Sequence, residues 1–307
     1  MPERFASYFD VGADVRRALE AGSAVVALES TIITHGMPHP QNVATAQAVE
    51  AAVRANGAVP ATIAIIGGRI KVGLTSDELV WLGTATDVLK VSRADLPYAV
   101  ASGRHGATTV AATMICAHLA GIPVFATGGI GGVHRGVEET LDISADLDEL
   151  ASTPVAVVCA GAKAILDLPR TLEYLETRGV PVVGYGTDRL PAFWSRNSDL
   201  AVPIRLDAPR EVADLIRAKE RLGLKGGVLV ANPIPADDEI PFAEMRCVVD
   251  AALASARAAG VTGKAVTPFL LSHLNAVTGG RSLTSNIALV KNNAALAARI
   301  AAALVRG

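Results

Sequence analysis

The chain is poor in aromatic residues and in cysteine. Aromatic side chains make up 4% of its 307 residues, and it has three cysteines, Cys116, Cys159 and Cys247. An odd number argues against a disulfide framework, and the spacing is not that of a zinc site. We therefore expect three buried, reduced thiols in a cytosolic protein, and a core of small aliphatic side chains in which helices and strands approach closely.

The chain also lacks a strong excess of charge and a long apolar run. Its formal net charge is -2, which gives no electrostatic footprint for nucleic acid or for an anionic membrane. No stretch reaches the roughly 18 uncharged apolar residues of a membrane span. Charges occupy the N-terminal segment where a signal peptide needs an apolar centre. These absences predict a cytoplasmic protein without nucleic-acid or membrane partners.

Short apolar runs alternate with helix-compatible segments along the whole chain. This alternation predicts a layered α/β sheet with helices on both faces. No linker, repeat or charge block marks a boundary, so residues 1–307 are predicted to form a single domain. The predicted strands are Ala24–Leu28, Ala61–Ile66, Val88–Val91, Pro123–Ala126, Val155–Val158, Pro181–Gly184 and Gly227–Ala231.

Helices are predicted between these strands from apolar periodicity and capping residues. The C-terminal part is helical and alanine-rich, with breaks at Gly263 and at the segment TGGRSLTSN. The other predicted helices include Asp10–Gly22, Val43–Asn56, one that Ser76 caps through Leu82, one that opens with Thr108 and Thr109 and closes on Gly121, and Asp207–Leu222.

The segment PVAVVCAGAKAILDLPRT carries a single lysine, Lys163, just after an apolar strand. At a strand-to-helix turn, both the helix dipole and desolvation disfavour the ammonium form. A neutral lysine at the carboxyl edge of an α/β sheet is a candidate nucleophile that forms a Schiff base with a sugar or aldehyde carbon. The alternative is a lysine that reaches from the helix into solvent.

Other polar side chains also follow predicted strands directly. Glu29 ends the first strand, and apolar neighbours would raise its pKa and keep it protonated as a general acid. The glycine run Gly128–Gly132 follows another strand, but it lacks the third glycine of a dinucleotide-binding fingerprint. We interpret these glycines as allowing a turn or a close approach to a small ligand.

The segment GATTV and Lys90 are candidates for binding an anion. Threonine hydroxyls and free backbone N–H groups at the start of a helix fit a phosphate, although ordinary capping by threonine explains Thr109 equally well. Lys90 is a charge inside a predicted strand, so it needs a partner, which a phosphate or a carboxylate would provide.

A run of carboxylates between Glu138 and Asp146 precedes a predicted helix. Capping by Ser144, with acidic residues favoured by the helix dipole, accounts for the pattern. A divalent cation held by one carboxylate and several waters accounts for it as well, and this coordination suits Mg²⁺ or Mn²⁺. Spacing alone leaves both interpretations open.

With these motifs described, the sequence resembles the pseudouridine-5'-phosphate glycosidase family, also called the indigoidine synthase A-like family. The matching segments follow the family order over nearly the whole chain. They are ALESTIITHGMPHPQN (27–42), KVSRADLP (90–97), GATTVAATM (106–114), TGGIGGVHRG (127–136), DISADL (142–147), CAGAKAILDLPRTLEYLET (159–177) and LTSNIALVKNN (283–293).

The resemblance implies a lyase, a pseudouridylate synthase, that reversibly cleaves the C–C glycosidic bond of pseudouridine 5'-phosphate to uracil and ribose 5-phosphate. It implies that Lys163 is the Schiff-base nucleophile and Glu29 the proton donor. It also implies a three-layer α/β/α sandwich around a mixed, mostly parallel sheet, and a homotrimer.

The resemblance further implies a set of binding residues. Asp142 is expected to contact a divalent metal, usually Mn²⁺, with Mg²⁺ as the alternative. The expected substrate-binding residues are Lys90, Val110, Ser144, Ala145 and Asp146 by family match, with Thr109 at a helix start, His134 in a loop and Asn286 in the last matching segment.

This chemistry agrees with the residue types. A C–C glycosidic bond has no lone pair at the linking atom for an acid to protonate, so the two-carboxylate scheme of ordinary glycosidases serves poorly. Opening the ribose and forming an iminium supplies an electron sink. Two alternatives remain: a Schiff-base aldolase or lyase acting on another phosphosugar, and a non-catalytic sugar-phosphate-binding protein.

Overall fold

The computed structural model describes residues 7–261 and 266–306. Short runs of small and β-branched apolar residues form a single sheet of eleven strands in this part of the chain. The strands are β1 (Phe9–Val11), β2 (Val25–Leu28), β3 (Val59–Ile66), β4 (Arg69–Val72), β5 (Leu89–Val91), β6 (Gly106–Thr108), β7 (Val124–Ala126), β8 (Ala156–Cys159), β9 (Val182–Tyr185), β10 (Ile204–Leu206) and β11 (Val228–Ala231).

The sheet is mixed and mostly parallel, as predicted. Its main path runs β1-β4-β3-β2-β7-β8-β11-β9-β10. Strand β3 is antiparallel to β4 and to β6, and the other strand pairs are parallel. The long strand β3 pairs with β2 along its first half and with β4 and β6 along its second half. Strand β5 extends the sheet beyond β6.

Twelve α-helices lie in the described residues. The two short ones, α4 and α6, have no counterpart in the sequence-based prediction. The helices are α1 (Ala13–Glu20), α2 (Gln41–Ala55), α3 (Ser76–Thr84), α4 (Leu96–Ala101), α5 (Val110–Ala120), α6 (Val137–Thr140), α7 (Ala145–Ser152), α8 (Leu168–Thr177), α9 (Pro209–Arg221), α10 (Phe242–Ala258), α11 (Val266–Val277) and α12 (Arg281–Val305).

Helices cover both faces of the sheet, which confirms the three-layer sandwich. Helices α2, α9 and α12 pack together on one face, where α12 contacts β2, β7 and β8. Helices α1, α5, α7 and α8 form the layer on the other face, where α5 packs on β2, β3 and β7. Burial of both faces explains why β2, β8 and β11 are apolar at every position.

Helix α12 is the longest helix of the described residues. By length and composition alone it is apolar enough to cross a membrane, but half of its most apolar stretch is buried inside the protein. Its contacts with α2, α9 and three strands identify it as a core helix of the sandwich.

Several sequence-based expectations need correction. The predicted helix from Asp10 is wrong at its start, because Asp10 belongs to β1 and pairs with Arg69 and Lys71. Cys116 and Cys159 are buried as expected, whereas Cys247 is exposed. Thr75, rather than Ser76, caps α3. The predicted break at Gly263 lies outside the described residues.

The topology brings several chain segments to one edge of the sheet. Strands β2, β7, β8 and β11 are parallel neighbours, so their carboxyl ends meet at the same edge. Strand β6 approaches this edge from the opposite direction, because it is antiparallel to β3. Ser30, just after β2, meets the end of β6 through its hydroxyl, which accepts a hydrogen bond from Thr108 N at 2.9 Å.

Candidate active site

Lys163 lies in the loop that follows β8, and its side chain is partly buried. Backbone bonds hold the loop against the segment after β7: Lys163 N donates to Ile130 O at 3.1 Å, and Ile130 N donates to Gly161 O at 3.1 Å. The expected strand-to-helix turn is longer than predicted, because α8 begins only at Leu168 with Asp167 as its cap. The helix dipole therefore acts on Lys163 less directly than the sequence suggested.

Glu29 lies at the end of β2, beside the end of β7. The hydroxyl of Thr127 donates a hydrogen bond to Glu29 Oε1. Burial raises the pKa of Glu29, against the lowering effects of the Lys163 charge and of the Thr127 hydrogen bond. The prediction of a raised pKa is therefore confirmed in direction, and the carboxyl is suited to hold a proton.

Lys90 lies in β5 and also belongs to this region. The charge of Lys90 lowers the pKa of Glu29. The charges of Lys90 and Lys163 both lower the pKa of His134. The pKa of His134 is lowered mainly by burial, with Asp142 opposing that shift. The structure thus places Glu29 and His134 each within electrostatic reach of both lysines.

The threonine pair in GATTV divides between two elements. Thr108 is the last residue of β6 and is fully buried. The prediction that its hydroxyl binds an anion at a helix start is therefore wrong. Thr109 caps α5 and accepts from Ala112 N, as in the capping interpretation. Ala111 N is also engaged, since it donates to Asp146 Oδ1 at 2.9 Å. Of the backbone N–H groups in the first turn of α5, that of Val110 has no hydrogen-bond acceptor among the described residues.

Asp146 joins two segments of the site. Its Oδ1 accepts from Ala111 N, and its Oδ2 accepts from Gly131 N at 2.8 Å. The side chain is buried at the start of α7. Because its two oxygens accept bonds from the protein itself, Asp146 supports the geometry of the site whether or not it also contacts a ligand.

Ser144 lies beside Gly131, and Ala145 begins α7 directly after it. Ser144 caps α7 through a bond from Asp146 N, as predicted, and its backbone N donates to Gly132 O at 3.0 Å. A Cβ atom at Gly131 would lie 2.2 Å from Ser144 Oγ. Only glycine allows the loop after β7 to approach the head of α7 so closely.

Asp142 provides a limited site for a metal ion. The described residues contain no group of three or more His, Cys, Asp or Glu side chains that could hold a metal. Asp142 is partly exposed, and its Oδ2 lies 3.9 Å from His134 Nδ1. One accessible carboxylate fits a hard cation that keeps most of its waters or gains ligands from a substrate, but it is not a closed protein cage.

Asn286 is buried near the start of α12 and lines a cavity of about 390 Å³. Its Oδ1 and that of Asn275, which lines the same cavity, are buried polar atoms without a hydrogen-bond partner in the described residues. A Cβ atom at Gly128 would lie 3.8 Å from Asn286 Oδ1. The amide therefore borders the loop that carries Thr127.

Sequence reasoning missed Thr127, although the signal was present. Thr127 is a polar residue directly after β7, which is the criterion that identified Glu29. It also missed the roles of two buried amides. Asn293 Nδ2 donates to Thr127 O at 2.9 Å, and Asn232 Nδ2 donates to Asn293 Oδ1 at 3.0 Å. Sequence spacing gave no signal for these long-range contacts.

Curated relatives resemble the chain over almost its full length. It is 74% identical over 295 residues to a pseudouridine-5'-phosphate glycosidase of Methylobacterium nodulans, which covers 96% of this chain and 88% of that protein. It is 64% identical to a protein of the same name from Solibacter usitatus, over 96% of this chain and 98% of that one.

Two solved structures share the fold. The prealnumycin C-glycosynthase AlnA in complex with ribulose 5-phosphate has a TM-score of 0.90 and 42% identity, with 97% of each chain covered. An indigoidine synthase A-like protein from Thermotoga maritima has a TM-score of 0.87 and 34% identity, again with 97% of each chain covered. The family described as indigoidine synthase A like protein matches residues 14–303. The chain therefore belongs to the indigoidine synthase A-like family.

Proposed function

We propose that the chain reversibly cleaves the C–C glycosidic bond of pseudouridine 5'-phosphate, giving uracil and ribose 5-phosphate. The observation that carries the proposal is that Glu29 and Lys163 follow β2 and β8, the strands on either side of β7, and that the lysine charge acts on a carboxyl whose pKa burial raises. This arrangement pairs a candidate amine nucleophile with a candidate acid. The names of relatives up to 74% identical support the same reaction.

The first step is attack on the sugar. In our proposal Lys163 Nζ forms a bond to C1' while the bond from C1' to the ring oxygen breaks. The ring oxygen takes a proton and becomes the open-chain hydroxyl, and Nζ loses one. The product is a secondary amine in which C1' still carries the base. Ring opening matters because the nitrogen lone pair can then stabilise the carbon that the base leaves.

The second step is departure of the base. Glu29 gives its proton to C5 of uracil, the C1'–C5 electron pair stays with the base, and the nitrogen lone pair forms an iminium with C1'. Water then hydrolyses this Schiff base, which releases ribose 5-phosphate and frees Lys163. The overall change is addition of one water across the C–C bond. The acid must face the base side of C1', which fits a carboxyl that comes from another strand of the sheet, β2, rather than from the loop of Lys163.

The phosphate is proposed to bind between Lys90 and the heads of α5 and α7. Lys90 brings a positive charge, and the N–H of Val110 has no hydrogen-bond acceptor in the described part of the chain. The backbone at Ser144 and Ala145 adds the dipole of α7. A Mn²⁺ or Mg²⁺ ion held by Asp142 would neutralise charge on the phosphate when bound. The backbone N–H of His134 donates to Asp142 O at 3.0 Å, which holds the segment of Asp142 in place.

The base is proposed to bind beside Asn286. Pseudouridine has two ring N–H donors, since its base is linked through carbon, and Asn286 Oδ1 is a buried acceptor that lacks a partner. A buried acceptor without a hydrogen bond is unfavourable in free energy. A base that places an N–H group at this position would form the missing hydrogen bond. The cavity of about 390 Å³ that Asn286 lines is large enough for a nucleobase.

A uracil-release assay on pseudouridine 5'-phosphate, with and without Mn²⁺, tests the proposal. We expect release by the wild-type protein, and release at least about a thousandfold slower in Lys163→Ala and Glu29→Gln, since both residues act in the chemical steps. Lys225→Ala, which removes an exposed lysine at the other edge of the sheet, is the matched control and should keep full activity. Wild-type protein that releases no uracil would refute the proposal.

The same variants separate the alternatives. A Schiff-base aldolase or lyase acting on another phosphosugar would keep its activity in Glu29→Gln, because it needs no acid on the base side. A non-catalytic sugar-phosphate-binding protein would bind ribose 5-phosphate without forming a covalent adduct. The structure of AlnA with ribulose 5-phosphate supports a phosphopentose ligand for this fold, and it favours neither alternative over the proposed reaction.

A further inference from the structure

Asn293 is a fully buried amide in the middle of the core helix α12. Its helical neighbours Leu289, Val290 and Ala297 are apolar and buried. A buried amide in such surroundings is unfavourable unless each of its polar groups is hydrogen-bonded. The hydrogen-bond partners of Asn293 therefore indicate which segments of the chain this residue holds in place.

Those partners lie at the carboxyl ends of two strands. Asn293 Nδ2 donates to Thr127 O at 2.9 Å, and at 3.4 Å to Gly128 O. Its Oδ1 accepts from Asn232 Nδ2 at 3.0 Å, which fixes the orientation of the amide. Asn232 is itself held after β11, because its backbone N donates to Cys159 O at 2.8 Å.

The chain of bonds continues to the proposed acid. Thr127 N donates to Val158 O at 3.0 Å, its carbonyl accepts from Asn293, and its hydroxyl donates to Glu29 Oε1. We infer that Asn293, oriented by Asn232, is a positioning residue that holds Thr127 so that its hydroxyl directs the Glu29 carboxyl toward the base. This inference rests on the proposed function of Glu29.

The remainder of the same loop is also held by backbone bonds that do not involve Asn293. Gly128 O accepts from Ala160 N at 2.9 Å, and the backbone bonds between Ile130 and the Lys163 loop lie further along. These bonds are formed by backbone atoms, so a change at Asn293 leaves them available. The inference therefore predicts that Asn293 supports the acid step much more than it supports attack by Lys163.

Asn293→Asp tests the inference with almost no change of shape. An ionised aspartate still accepts from Asn232 but cannot donate to Thr127 O, whereas a protonated one can. We expect uracil release to fall at least about tenfold near neutral pH, the cost of about one net hydrogen bond. Trapping of ribose 5-phosphate by borohydride should stay within about twofold of wild type. Relative to wild type at each pH, release should recover as the pH falls.

Two further variants make the result decisive even if Asn293→Asp folds poorly. Thr127→Val removes the hydroxyl and keeps the shape, so it should slow release and preserve trapping without recovery at low pH. Asn292→Ala, which removes the neighbouring amide that donates to Pro233 O, is the control and should preserve both activities. Parallel loss of release and trapping in Asn293→Asp and Thr127→Val, or unchanged release, overturns the inference. Wild-type protein that releases no uracil overturns the proposed function, and the inference with it.

Discussion

Glu29 is subject to opposing electrostatic influences. Burial raises its pKa, whereas the charges of Lys163 and Lys90 and the hydrogen bond from Thr127 lower it. Desolvation is the largest of these effects, so the protonated form persists to higher pH than for a carboxyl in water. A nearby lysine would otherwise keep the carboxyl ionised and unable to give a proton to carbon.

The raised pKa predicts a stability difference between the wild-type protein and Glu29→Gln. At low pH both side chains are neutral. As the pH rises above the ordinary value of 4.5, the unfolded wild-type chain loses its proton first, so its folded state loses stability until the raised folded-state pKa is passed. Urea unfolding at a series of pH values should show Glu29→Gln gaining stability relative to wild type over this window. A constant difference across the series would contradict the raised pKa.

Asp146→Asn should destabilise the fold through lost backbone hydrogen bonds. An amide can accept from one of Ala111 N and Gly131 N, but its NH₂ group faces the other donor. We expect a loss of about 1–3 kcal/mol in the free energy of unfolding, measured by urea denaturation. The control is Asp148→Asn on the same helix, where the exposed pair with Arg178 should be worth less than about 1 kcal/mol. Equal effects of the two substitutions would argue against a supporting role for Asp146.

At the level of residues, the sequence identified the groups that follow apolar strands. Glu29 and Lys163 were predicted because each follows a buried apolar run, and the structure places them after β2 and β8, on either side of β7 at the same edge of the sheet. The bonds of Asp146 were not predictable, because its partners lie 35 and 15 residues away in the chain. Thr108 was assigned to a helix because nothing in GATTV distinguishes its two threonines, and pairing of β6 with β3 decides between them.

Among the elements, the loop after β5 and helix α7 are joined by an ion pair whose carboxylate is buried. Arg93 donates to both oxygens of Glu149, at 2.7 and 2.8 Å, and Glu149 is fully buried while Arg93 is partly exposed. Thr153 also donates to this carboxylate. The pair ties the segment after Lys90 to the helix whose head carries Ser144.

Arg93→Leu should therefore destabilise the protein strongly. Removing one partner leaves a buried carboxylate with too little compensation, which costs about 3 kcal/mol. The matched control is Arg104→Leu, whose pair with Asp87 is exposed and should be worth about 0–1 kcal/mol. Thermal or urea unfolding measures both. Similar small effects would show that Glu149 is tolerated without its partner.

The sequence located the long elements well and the short ones poorly. All seven predicted strands are present, because buried apolar runs are a strong local signal. The four missed strands, β1, β4, β6 and β10, have three or four residues each and carry charges or glycine. Their pairing depends on distant partners, as when Asp10 of β1 lies opposite Lys71 of β4.

For the whole molecule, helix α12 connects the core to the site. One part of it packs between α2 and α9, while Asn286 and Asn293 reach the loop after β7. A single helix thus extends from the core of the sandwich to the loop that carries Thr127. We infer that this double role explains why buried amides interrupt an otherwise apolar core helix.

The homotrimer stays a prediction from family resemblance. Light scattering coupled to size-exclusion chromatography should give a mass about three times the 31.6 kDa of one chain. Dilution into the nanomolar range tests whether the assembly persists. A mass of one chain at micromolar concentration would contradict the prediction.

Covalent trapping at Lys163 tests the central claim most directly. Incubation with ribose 5-phosphate and borohydride, followed by peptide mass spectrometry, should find the peptide containing Lys163 heavier by the mass of ribose 5-phosphate less one oxygen atom. Lys163→Ala protein should carry no adduct, and Lys225→Ala should be labelled like the wild type. The absence of an adduct on active wild-type protein, or an adduct confined to another lysine, would contradict the account.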